Sequence, residues 1–120
     1  VALGLTELIV NAIEHGNLEI DCDAKTRMLF DGTFFAEVER RLETAPYAHR
    51  VALVEFRRTK TQVKLRITDE GPGFDYRRFI NAEFNFDRPN GRGIAIAKRM
   101  AFDHLSYKGR GNVVEAWVRR

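Results

Sequence analysis

Between residues 44 and 51 the hydrophobic period of this chain changes from helical to alternating, which decides the folds open to it. In residues 1–15 (VALGLTELIVNAIEH), Leu5, Leu8, Ile9, Ala12 and Ile13 recur at helical spacing, and Gly16-Asn17 reads as the helix's C-terminal stop. Residues 18–32 read as a polar connector with a short helix around Lys25–Phe30. In residues 33–44, Phe34, Val38 and Leu42 stand four apart, Thr33 is placed to cap the helix, and Pro46 lies just past its end. From residue 51 the pattern alternates. Residues 51–58 and 62–69 read as an antiparallel hairpin turning at Thr59–Thr61, with Val63, Leu65 and Ile67 on one face. A Gly/Pro-rich turn, DEGPGFD, occupies 69–75, and residues 76–90 have no clear period and read as a loop. Two glycines open a helix over 91–102, and strands at 104–108 and 113–119 form a second hairpin around Gly109–Asn112. Trp117 alternates with Val113 and Glu115 and is expected to pack against a helix; Phe34 and Phe35 are expected as packing anchors. Helices followed by strands predict an α+β fold: a two-layer sandwich of a mixed, mainly antiparallel sheet with helices on one face.

Composition narrows the function classes. With 120 residues, 44% of them hydrophobic, the chain suits one folded domain rather than two or a disordered segment. No apolar run approaches the roughly 18 residues of a spanning helix, and no cationic-then-apolar leader opens the chain. A single cysteine, Cys22, excludes an internal disulfide and a cysteine-based zinc cluster, and fits a reducing cytoplasm. Twenty basic residues, fifteen of them arginine, stand against seventeen acidic ones for a net +3. They are dispersed among acids rather than gathered in blocks, which argues against nucleic acid as a partner.

Three constellations carry chemistry. Glu7, Asn11 and His15 are spaced by four, a single stripe on a helix. An Asn carbonyl oxygen is a hard donor suited to Mg²⁺, and a carboxylate one turn away can deprotonate a hydroxyl or water. In Asp69-Glu70-Gly71-Pro72-Gly73-Phe74-Asp75, a carboxylate at a strand end can accept from an exocyclic amine, beside glycines that let backbone approach a ligand. In Asn90-Gly91-Arg92-Gly93-Ile94, N–H groups at a helix start make an anion site. It is neither a Walker A loop, lacking Gly-Lys-Ser/Thr, nor a Rossmann fingerprint, lacking the preceding strand and third glycine. Each also has an ordinary structural reading: a solvated helix face, a tight turn and a flexible helix start.

Together, in this order, the three motifs resemble the GHKL ATP-binding fold shared by gyrase, histidine kinases and MutL. Within it the chain is most similar to the serine-kinase branch of bacterial anti-sigma factors. ELIVNAIEHGN resembles the family's N box, DEGPGFD its first glycine box and NGRGIAIAKRM its second. The resemblance covers nearly the whole chain. It implies ATP and Mg²⁺ as cofactors, with Asn11 as metal ligand and Glu7 as general base. It implies Asp69 as acceptor for the adenine amine, with Gly71 and Gly73 shaping the pocket. Gly91, Arg92 and Gly93 are then phosphate contacts, residues 75–90 the lid, and Arg88 a lid residue reaching the γ-phosphate or a partner. His15, Asn90, Ile94 and Asn112 complete the nucleotide-binding set. The family has a strand and a helix before the N box, so the resemblance implies a single domain over 1–120 without them, and an uncovered sheet edge. Residues 18–50 are a longer insert than a minimal member needs.

Three readings of function follow. The first is a serine/threonine kinase phosphorylating a STAS-type antagonist protein in partner switching. The second is a nucleotide-dependent binding module holding a sigma factor or signalling partner, as a monomer or homodimer, with little turnover. The third is the ATP-binding domain of a histidine kinase, or the output domain of a longer chain with receiver and phosphatase modules.

Overall fold

The computed structural model describes residues 2–74 and 102–120. The expected loop at 76–90, and the helix expected at 91–102 apart from Phe102, lie outside those residues. The first helix, α1 (Ala2–Val10), runs on without a break into a π-helical segment, Asn11–Asn17. The expected stop at Gly16-Asn17 is therefore part of the helical run. The Leu18 N–H reaches back five residues to the Ile13 carbonyl at 2.9 Å, the wider turn of a π-helix. The chain leaves the helix through Glu19, whose φ of 56° turns it sharply.

Two further helices fill the insert: α2 (Cys22–Asp31) and α3 (Phe34–Leu42). Asp21 caps α2, its carboxylate accepting from the Ala24 N–H at 2.7 Å. Thr33 precedes α3 but makes no side-chain cap. Phe34 is buried, whereas Phe35 is 74% exposed. Adjacent residues on a helix point about 100° apart, so a narrow apolar stripe takes only one of them.

The strands are β1 (Leu53–Arg58), β2 (Gln62–Thr68), β3 (His104–Lys108) and β4 (Val113–Arg119). They form one sheet in the order β1-β2-β4-β3, and every described pairing is antiparallel. Register fixes the faces: Leu65 lies opposite Ala116, which lies opposite Leu105, and Ile67 opposite Val114, which lies opposite Tyr107. These residues join Leu8, Ala12 and Phe102 in the main core, with α1 covering one face of the sheet. The result is an α+β fold, a helical layer on one face of the sheet.

Trp117 is on the other face. It pairs with Lys64 and His104, stacks on the His104 ring at 5.8 Å, and lies on the face opposite the one that α1 covers. Alternation separates two faces but does not say which is covered, and here the small Ala116 and Val114 lie beneath the helix. The open face carries charge: Glu115 receives Arg66 at 3.0 Å and Lys108 at 3.5 Å. No described helix is long and apolar enough to cross a membrane.

Candidate functional site

β2 ends at Thr68, so Asp69 is the first residue past the strand, and it is only 7% exposed. Its backbone is clamped to the last hairpin. The Asp69 N–H donates to the Asn112 carbonyl at 2.9 Å, and the Asn112 amide donates to the Asp69 carbonyl at 3.3 Å. Asp69 Oδ1 accepts from the Gly71 N–H at 2.9 Å. Among the described residues no donor pairs with Oδ2.

The helical run packs directly onto this turn. A Cβ on Gly16 would stand 2.4 Å from Asp69 Cγ, and one on Gly71 would stand 2.1 Å from the Gly16 carbonyl oxygen. No other residue type fits without displacing the Asp69 carboxylate at the first position or the Gly16 backbone at the second, because such separations lie far inside van der Waals contact. Gly73, at φ 91°, turns the chain toward Arg110, whose carbonyl accepts from the Phe74 N–H at 2.8 Å. Phe74 then meets Tyr107 edge to face at 5.2 Å.

A pocket opens between these parts. Leu8, Ala12, Ile67 and Val114 give it apolar walls; Asn11, Asp69 and Asn112 give it polar groups; Gly16, Gly73, Phe74, Tyr107 and Gly111 complete it. Its free volume is about 10 Å³, room for about one water. Burial drives the Asp69 carboxyl pKa upward, against the Gly71 N–H and the more distant Arg110 and Arg50 charges. Burial also drives the Tyr107 phenol upward, an interaction with the Asn11 side chain offsetting part of the effect. A buried carboxylate with an open acceptor, set at the end of an apolar slot, suits a flat heterocycle that offers an N–H.

Asn11, Asp69, Gly73 and Asn112 thus share one pocket, and Gly71 braces it. Glu7 lies one turn before Asn11 on α1 and is half-buried. His15 is engaged elsewhere, its Nδ1 hydrogen-bonded to the Ile20 carbonyl. His15 is not among the residues that line the pocket. Arg88, Asn90, Gly91, Arg92, Gly93 and Ile94 lie outside the described residues. Tyr107 and Phe74 enter the pocket without having been expected there. Alternation marks Tyr107 as a sheet residue, but only the strand order brings it beside Asn11.

A family model, the histidine kinase-like ATPase domain, matches residues 1–117. The chain belongs to that family. Membership of this family supports ATP binding by the domain. No curated protein and no solved structure matches the chain. Among the described residues no three His, Cys, Asp or Glu side chains cluster as a metal cage.

Proposed function

We propose that this domain is a serine/threonine protein kinase of the anti-sigma-factor type, acting on a hydroxyl of a STAS-type antagonist protein with Mg·ATP as donor. The observation that carries the nucleotide part is Asp69, a buried carboxylate with one oxygen committed to Gly71 and the other open to the pocket. Adenine presents an N–H pair to such an acceptor. Bound Mg·ATP would supply the phosphoryl group and much of the charge neutralisation. Asn11 would hold the metal, and Glu7 would take the proton of the attacking hydroxyl. Asn112, Gly71 and Gly73 would shape the base site, and His15 would order the end of the N box through its bond to Ile20. Asn90, Gly91, Arg92, Gly93 and Ile94, with Arg88 before them, would meet the phosphates through backbone N–H groups and arginine charge.

Calorimetric titration with Mg·ATP tests the binding site. Wild type is expected to bind, and Asp69→Asn and Asn11→Ala each to weaken binding at least tenfold. Phosphate transfer to a STAS-type protein tests the chemistry. Glu7→Ala is expected to lower the rate about 10²–10⁴-fold with ATP affinity unchanged. Undiminished transfer by Glu7→Ala overturns the base assignment. ATP binding that changes partner affinity without any transfer by wild type replaces the kinase with a nucleotide-switched binding module.

A further inference from the structure

A closed ring of hydrogen bonds ties three distant segments together beside Asp69. The Arg50 guanidinium donates to the Asn17 carbonyl at 2.8 Å. The Asn17 side-chain oxygen accepts from the Glu70 N–H at 2.7 Å. The Glu70 carboxylate accepts from the N–H of Val51, the residue after Arg50, at 2.7 Å. Each link joins a side chain to a backbone, so the ring fixes main chain rather than side-chain tips.

Its members are chain neighbours of the pocket. Asn17 follows Gly16, which lies against the Asp69 carboxylate, and Glu70 follows Asp69 itself. Asn17 is 4% exposed, so its amide oxygen has one environment and the Glu70 N–H has a partner it would otherwise lack. The insert anchors the ring from outside. Arg50 pairs with Glu19 at 2.7 Å, and Arg41 and Arg50 both lie on the Tyr47 ring, 5.4 Å from its centroid. Arg41 also donates to the Leu18 carbonyl at 2.6 Å. Main-chain atoms of residues 16, 17, 69 and 70 are thereby held in one arrangement, which sets where Asp69 Oδ2 faces.

We infer that Asn17, Glu70 and Arg50 are positioning residues for the Asp69 carboxylate, setting the domain's preference for a base with an exocyclic amine over one with a carbonyl at that place. The inference rests on the reading of Asp69 as the base acceptor. Adenine carries the amine and guanine the carbonyl, so ATP against GTP is the measure. A loosened carboxylate loses the bond made only to the amine, and affinity falls for ATP alone.

The whole chain is titrated calorimetrically with Mg·ATP and with Mg·GTP. Exposed Glu70→Ala is expected to weaken ATP about tenfold and leave GTP within twofold, lowering the ATP/GTP preference about tenfold. Glu70→Gln keeps an acceptor oxygen for Val51 and is expected to restore the preference to within twofold of wild type. Arg50→Met opens the ring from another side and is expected to reproduce the selective loss, so a poorly folded Glu70→Ala does not shield the inference. In an Asp69→Asn background Glu70→Ala is expected to change nothing further. Equal losses for ATP and GTP, an unchanged preference, or failure of Glu70→Gln to rescue overturns the inference. Should Asp69→Asn abolish the preference while Glu70→Ala keeps it, only the positioning role falls. Should Asp69→Asn retain the wild-type preference, the base-acceptor reading falls, and the positioning role with it.

Discussion

The described residues form two hydrophobic cores of different construction. The main core joins residues from Leu8 to Ala116, with α1 laid on β2, β4 and β3. The second core, Leu18, Ile20 and Phe34 with Ala24, Met28, Val38 and Tyr47 around it, lies within about thirty consecutive residues. The first is built from long-range contacts and frames the pocket; Leu8, Ala12, Ile67 and Val114 belong to both. None of the second core's residues lines the pocket. It reaches the site through Arg41, Arg50 and Asn17. An insert that folds on a local core can thus brace a site it does not line.

This difference can be broken experimentally. The largest effect is expected in the main core: Ile67→Ala should cost about 4 kcal/mol in urea unfolding and remove ATP binding with the fold. Phe34→Ala should cost about 3 kcal/mol, confined to the insert. Hydrogen exchange should then speed up across α2 and α3 while β2 and β4 stay protected. Equal loss of protection in β2 would show that the two cores are one cooperative unit.

A smaller effect is expected at Asp69. Its folded pKa lies above the ordinary carboxylate value because burial penalises the charged form. Folding therefore favours the protonated acid, and the penalty is absent below the unfolded pKa, grows as pH rises through the folded pKa, and persists above it. Asp69→Asn, which keeps an acceptor for Gly71, should raise the Tm at pH 7, and the gain should vanish in acid. A variant less stable than wild type at pH 7 contradicts the desolvation account. The smallest effect belongs to the open face: Glu115→Ala should change stability by less than about 1 kcal/mol, and less at high salt, since both of its cationic partners are exposed.

Much of the fold was legible in the sequence, because period and turn chemistry are local properties. The last two strands begin and end at residues 104, 108, 113 and 119 as alternation predicts. The helix at 33–44 also forms, and the short helix expected near Lys25–Phe30 is α2, one turn longer. What failed depended on distant partners. Gly16 reads as a helix stop because glycine ends helices when judged locally. Here it continues the helix, since only a residue without a side chain can lie on Asp69. Trp117 and Phe35 were placed by their size, but burial follows whichever face another element covers.

The sequence by itself determined the α+β order of elements, the three motifs and the family, because these need only residue types and spacing. Tertiary structure alone decided that Asn11, Asp69 and Asn112 meet in one slot, and that the carboxylate between them is desolvated. It alone decided that Arg50, Asn17 and Glu70 close a ring around that carboxylate. Those relations span 19 to 53 residues. The strand order β1-β2-β4-β3 and the π-helical turn bring them together, and neither leaves a periodic signal in the chain.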